Sequence, residues 1–443
     1  MKKIILKLQN FADGDQGNVY NDSSLTMINT GNIASHYSGV DSSSPVYGLT
    51  AEMKEFYSKE LIEEAGPQLI HAQFGDQVSL PKNHGSVIEW RRWGKYAKAT
   101  TPITEGVTPA AATIEVTPIR KTLHEYGNWS METDILTLTA VDNTIAEAVS
   151  RHSQNAALTL DTIVRNELIA GTDQRLYAGG AESIDQLGSN MGINEVALVS
   201  TLLKNNNAPK INNSYIGIAH PSVTHDLMKT QGWIDVSTYS AAEQIFNGEI
   251  GKLYGVKFME TTEAKVVKAP KVGTGTGATE KVKMSAYNTT THTATIGSTV
   301  LAADDDLVGQ KLLYCQKQSD GSVKAVEVTV ADSTAAGTIV LSAEPSGITP
   351  TAAGGDFFAS PLSAKGEDYF VTLVLGKGAY KVVRLDGNTA EIIVHTEGGT
   401  ADPLNQRKTV GWVVRNFGAA VTIPEYIYKV YSTSSVKGVA AND

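Results

Sequence analysis

Few residues of this 443-residue chain combine the type and the spacing that chemistry requires, and each has a plainer explanation. His220 and His225 lie five apart, which sends them to different faces of a helix, and no nearby carboxylate completes an HExxH-type zinc site. Gly273, Gly275 and Gly277 with Lys281 imitate a phosphate loop, but the Gly-Lys-Ser/Thr ending is missing and no strand leads into a helix there; a flexible linker is expected. Asp304 to Asp306 lack the glycine and distal glutamate of a calcium loop, so a solvated turn is expected. Cys315 follows Leu312, Leu313 and Tyr314 with no histidine close in sequence to activate it, and behaves as a small apolar group. Glu63-Glu64 sit on a helical surface and Glu132 to Asp134 at a helix start, where carboxylates favour the helix dipole. The basic group Arg91, Arg92, Lys95 and Lys98 is matched by Glu89, Glu105, Glu115 and Glu125 on the same element, so charge pairing between copies outweighs phosphate binding. No catalytic, cofactor-binding or metal-ligating residue is expected, no cofactor, and no enzyme activity.

The elements around these residues are those of a large, well-packed chain. Its apolar content of 41% can fill about three cores at roughly 150 residues each. A single cysteine forbids an internal disulfide. No apolar run approaches the roughly 20 residues that span a bilayer, and Met1 to Phe11 has no adequate apolar core for an export signal, so a soluble, unexported protein without membrane partners is expected. A formal net charge of -10 argues against specific nucleic-acid binding.

Residues 1–48, rich in Ser, Asn, Gly and Asp, have no sustained period and form an arm that must lie on something else. Within 49–75, Met53, Phe56, Tyr57, Leu61 and Ile62 define a short amphipathic helix ended by Gly66-Pro67. Residues 76–131 switch to period two: Val87 to Trp93 is one strand of a long hairpin, and Ile114, Val116 and Leu123 to Met131 form its expected returning partner. Such a hairpin has no core of its own and must pack on another surface. Within 132–192, Thr133 or Asp134 caps a helix running to Gly171, about 37 residues and roughly 55 Å long, read as a structural spine. Residues 193–264 alternate helix and strand: helix from Asn194 to Leu203, strand Tyr215 to Ala219, helix from Pro221, strand Val256 to Glu260. Residues 265–364 hold short alternating strands such as Val323 to Val330 and Thr338 to Leu341, and form an inserted β domain. In 365–443, Tyr369 to Leu375, Tyr380 to Leu385, Glu391 to His395, Val410 to Asn416 and Tyr426 to Tyr431 are strands expected to rejoin the α/β domain as its second part and to supply the C-terminal strands of the domain that holds the spine.

The stretches FGDQVSLPKNHGSVIEWRRWGK, TPITEGVTP, HEYGNW, DTIVRNELIAGT, GEIGKLYGVKFMET, KGAYKVVRLDG and DPLNQRKTVGWVV occur in order over most of residues 50–265 and 365–431. With the order of elements, they make the chain resemble the major capsid proteins of tailed bacteriophages, and more specifically the coat-protein family typified by phage N-four. The resemblance implies an α+β fold of the Johnson or Hong Kong ninety-seven type: an N-terminal arm, an extended hairpin loop, a peripheral domain with a long spine helix, an axial α/β domain and, here, an inserted small all-β domain. It implies a virion subunit that assembles in the host cytoplasm into hexamers and pentamers of an icosahedral shell around double-stranded DNA. Its partners would be copies of itself, a separate scaffolding protein, a portal protein and possible cement proteins. Trp90, Arg91, Arg92, Trp93, Lys95, Arg120 and Trp129 become the expected inter-subunit contacts. Two other classes stay open at this point: an adhesive or surface-layer protein, raised by the Thr- and Gly-rich insert, and a hydrolase or lyase with an unrecognised site in the α/β domain.

Overall fold

The computed structural model describes residues 70–442, apart from 82–84, 103–104, 106–107, 109–110, 140–142, 231–232, 236–248, 319–321, 351–354, 386–389, 396–401 and 403–405. The expected arm, the short helix around Phe56 and Leu61, and Glu63-Glu64 lie outside the described residues.

Continuous apolar runs become the centre of the molecule. Tyr369–Leu375 and Tyr215–Ala219 are buried at every position, which requires cover on both faces of their sheet. They lie side by side in an eight-stranded mixed sheet whose order is Arg175–Tyr177, Ile427–Ser432, Tyr369–Leu375, Tyr215–Ala219, Val256–Glu260, Glu249–Leu253 and Ile234–Asp235, with Val266–Val267 also pairing Tyr369–Leu375. One face receives Val196, Val199 and Leu203 of helix Ile193–Asn205 and Val223 and Leu227 of helix Pro221–Met228. The other receives Val164 and Leu168 of the spine helix, against Ile216, Ile218 and Leu373.

The spine is shorter than its hydrophobic period implied. A single helix from Asp134 to Gly171 is corrected to two, Asp134–Thr139 and Thr144–Ala170, the second with 27 residues and about 40 Å long. The break has a local cause: the Asn143 side chain accepts from the Ala146 N–H at 3.3 Å and starts a new helix. Thr144 donates its hydroxyl to buried Glu132, which fixes the start against the preceding strand. At mid-length Asp161, buried, takes the His71 ring at 2.7 Å and the Ala72 N–H at 3.2 Å, so the chain entering the fold is tied to the helix.

A second sheet flanks the same helix. Its organiser is Arg407–Val421, which pairs Tyr380–Leu385 through its C-terminal part, and Glu391–His395 and His124–Thr133 through its N-terminal part; Asp76–Leu80 adds in parallel to Tyr380–Leu385. The ladder shifts register between Val414 and Phe417, where Asn416 adopts φ 53°, a left-handed conformation that asparagine tolerates. Trp412 and Val414 face the helix, and Trp412 Nε1 donates to Asn155 Oδ1 at 2.9 Å.

One expectation about strand partners is corrected here. The partner of Val87–Trp93 is Val116–Thr122, and Leu123 to Met131 does not continue it: His124–Thr133 turns away to pair with Arg407–Val421. Of the late strands, Tyr369–Leu375 and Ile427–Ser432 join the α/β sheet, while Tyr380–Leu385, Glu391–His395 and Arg407–Val421 build the second one.

The third unit is a seven-stranded antiparallel sheet formed within residues 282–359, with Lys311–Lys317 and Val323–Thr334 at its centre. Alternation fills both faces: Leu312, Tyr314, Val328 and Phe358 enter the main core, and Leu313, Cys315, Phe357 and Ala359 a smaller one behind. Three ion pairs bind its neck to the body, Lys268–Asp368 at 2.7 Å, Lys281–Glu367 at 2.9 Å and Lys437–Glu367 at 2.9 Å.

Candidate functional site

The segments that could have carried small-molecule chemistry are occupied by structure. His220 caps helix Pro221–Met228, its Nδ1 accepting from the Ser222 N–H at 3.1 Å, and burial lowers its pKa to about 4. It therefore stays neutral at pH 7, while His225 is exposed on the far side of the helix. The glycine run is not a flexible linker, and that expectation is corrected: the Gly275 and Gly277 N–H groups donate to Val300 and Thr299 carbonyls at 2.8 Å. A Cβ on Gly275 would fall 2.1 Å from the Thr299 oxygen, so glycine is required by backbone contact. The acidic turn is likewise engaged. Asp304 accepts from the Ala335 N–H at 2.8 Å, and Asp306 accepts from the Thr274 hydroxyl and the Ala302 N–H, the first of which chiefly holds its carboxyl below the usual range. Burial pushes the Cys315 thiol up to about 12, which removes the thiolate a nucleophile needs. Among the described residues no group of three His, Cys, Asp or Glu side chains is arranged to hold a metal ion, and no helix is long and apolar enough to cross a membrane.

The hairpin is different. Neither of its strands has a single buried position. Strand alternation sorts its side chains into two sets. Ile88, Trp90 and Arg92, with Ile119 and Lys121 opposite, face the chain's own body: Trp90 packs at the cluster of Leu80, Leu123 and Val383 with the Lys381 ammonium 5.5 Å above its ring, Arg92 reaches Glu425 at 3.0 Å, and Lys121 reaches Glu167 at 2.6 Å. These contacts hold the ribbon in one direction.

Val87, Glu89, Arg91 and Trp93 face outward, opposite Thr122, Arg120, Pro118 and Val116. Arg120 donates to Glu89 at 2.6 Å, and this hydrogen bond is the first cause that holds the Glu89 carboxyl below its ordinary value, with Arg91 3.7 Å away as a weaker partner. Trp93 is 63% exposed and Tyr96, just beyond the strand, 60% exposed. Lys95 is also exposed. Large apolar surface thus stays open on a ribbon that has no core of its own.

Trp129 belongs to neither set. It lies 62% exposed on the outer face of the second sheet, in register with Gly411, where an added Cβ would fall 2.8 Å from the Trp129 Cβ. Gly127 and Gly411 floor a trough of about 330 Å3 walled by Trp129, Ile393 and His395. Of the seven sequence-derived contact residues, Arg91, Trp93, Lys95, Arg120 and Trp129 thus stand outward, while Trp90 and Arg92 are committed to the same chain. The VIEWRRW alternation carried that division. Sequence reasoning passed over Tyr96, Val87 and Val116, which extend the outward face and sit at ribbon positions that point away from Trp90 or beyond the last pair.

No family model matches the sequence, and no curated protein does. Solved structures do match. The capsid of Ralstonia phage GP4 aligns with a TM-score of 0.51 and 10% identity over 88% of this chain and 97% of that one. The capsid of cyanophage P-SCSP1u gives 0.49 and 11% over 86% and 93%, and the mature capsid of bacteriophage PhiM1 0.47 and 11% over 91% and 99%. The likeness to the GP4 capsid establishes the fold: the chain has the mixed α+β fold of a phage major capsid protein, the Hong Kong ninety-seven type.

Proposed function

We propose that the chain is the major capsid subunit of a tailed bacteriophage, assembling with copies of itself into hexamers and pentamers of an icosahedral shell that encloses double-stranded DNA. The single observation that carries this reading, on a fold of this class, is the hairpin: a projecting ribbon held in place by its inner face and left with Trp93, Tyr96 and Val87 open on its outer one. A chain that folded only for itself would leave no such surface. Arg91, Trp93, Lys95, Arg120 and Trp129 contact neighbouring copies, the hairpin acting as the extended loop, Thr144–Ala170 as the spine of the peripheral domain and the eight-stranded sheet as the axial domain. Its role is structural, in the virion and in the host cytoplasm during assembly, with no cofactor and no catalysis. A separate scaffolding protein, a portal and cement proteins are its further partners, and the affinity with N-four-type coat proteins rests on the sequence stretches quoted above. The formal charge of -10 suits a container wall that must not hold its DNA tightly.

Negative-stain microscopy and sedimentation of the purified full-length chain, with Trp93→Ala beside it, test this. Rings, sheets or shells from the native chain, reduced at least tenfold by Trp93→Ala, are expected. A native chain that stays monomeric at every concentration and salt overturns the reading.

A further inference from the structure

Residues 434–442 form neither strand nor helix, yet their side chains fix the whole of their course. It begins on the body. The Ser434 hydroxyl lies 2.8 Å from the Ser222 carbonyl and 3.0 Å from an Asp226 carboxylate oxygen, and Asp226, on helix Pro221–Met228, also accepts from the Ser435 N–H at 2.9 Å. It ends on the insert. Lys437 reaches Glu367 at 2.9 Å, Val439 packs against the core that holds Val256 and Phe258, and Asn442 donates to the Thr262 carbonyl at 2.8 Å and to the Ala264 carbonyl while accepting from the Val266 N–H at 2.9 Å. The segment Thr262 to Val267 leads out into the insert and Glu367 lies where the chain returns, so one stretch holds both roots.

Without that stretch the insert would hang on a weak hinge. Its roots pair with each other over two residues, Val266 and Val267 with Phe370 and Tyr369, and Lys268–Asp368 adds an ion pair from one root to the other. So short a ladder and a part-exposed ion pair keep the roots together but let them tilt as a unit. We infer that residues 434–442 are a strap that fixes the direction in which the inserted β domain leaves the body. The core of the insert makes it ordered, and the strap makes it oriented. Asn442 is the clasp, because a carboxamide can donate to two carbonyls and accept from an N–H at one spot, which neither a carboxylate nor a hydroxyl can do. At the other end Asp226 sits on a helix packed into the α/β core through Val223 and Leu227, so the strap is anchored to a rigid support. The inference goes beyond the capsid-subunit reading and does not depend on it. In a shell, its consequence is that every copy presents the same face of its insert.

The test uses the full-length chain, whose one native cysteine is buried. Spin labels are placed at Val308→Cys in the insert and Leu198→Cys on helix Ile193–Asn205, both exposed, and the distance between them is measured by double electron–electron resonance in chains diluted with unlabelled protein. A narrow distribution is expected with the strap intact. Lys437→Ala with Asn442→Ala should widen it by at least about twofold, while Lys268→Ala, which cuts a neck ion pair that the strap does not use, leaves it close to native. A native width in the doubly substituted chain overturns the inference, and so does equal widening by Lys268→Ala. Asn442→Asp separates loss of the strap from loss of the fold: its carboxylate keeps the bond from Val266 but cannot donate to Thr262 and Ala264, so an intermediate width with an unchanged melting midpoint is expected, and a native width contradicts the inference.

Discussion

The hairpin and the insert are both excursions from the body, and they solve the problem of burial in opposite ways. The insert brings a core of its own, with Tyr314, Phe358, Ile339 and Ala294 fully enclosed. The hairpin has no buried position in either strand and leans on the body along one face. A sheet of seven strands can cover itself, and a ribbon of two cannot. The insert can thus be ordered by its own packing, while the hairpin's outer face is left without cover among the described residues.

The comparison can be broken most severely at the insert. Phe358→Ala removes an aromatic from its main core and is expected to cost about 3–5 kcal/mol, seen as a separate low-temperature transition in calorimetry while the body melts unchanged. A single shifted transition would show instead that insert and body fold as one unit. Acid sharpens it from the body's side. His220 has its folded pKa lowered from 6.5 to about 4, so its contribution is complete above the unfolded value and is lost as pH falls from 6.5 through 4, by up to about 3 kcal/mol. His220→Gln should flatten the dependence of the denaturation midpoint on pH in that window. The spine responds more modestly: Asn143→Ala removes the N-cap and is expected to lower stability by about 1 kcal/mol in urea titration. Smallest is the outer face of the hairpin, where Arg120→Ala breaks the solvent-screened pair with Glu89 and is expected to leave the monomer's urea midpoint unchanged. A clear fall there would mean that the hairpin is already part of the monomer's cooperative core.

Much of this was legible in the sequence where a period was long and local. The alternation of Val87 to Trp93, the apolar run Tyr369 to Leu375 and the helix opening at Pro221 all declare their type without help from the rest of the chain. Partners were harder. Leu123 to Met131 reads as a strand, but nothing local says that it belongs to Arg407–Val421, nearly 300 residues on, and Pro118 disguises Val116–Thr122, the strand that does close the hairpin. The proline is tolerated because the ribbon has free edges. One side chain, Asn143, divided a helix whose hydrophobic period ran on unbroken. The glycines at 273, 275 and 277 carry no sign that Thr299 and Val300 press against them. The contact residues were gathered by type, and only the face each one occupies on the ribbon separates Trp90 and Arg92 from Arg91 and Trp93.

Amide hydrogen exchange, compared between the dissociated subunit and its assembled form, tests the difference between the two excursions most directly. Protection in Val87–Trp93 and Val116–Thr122 should rise at least tenfold on assembly, while Lys311–Lys317 and Val323–Thr334 of the insert remain as protected as before. A hairpin equally protected in both states would contradict the account.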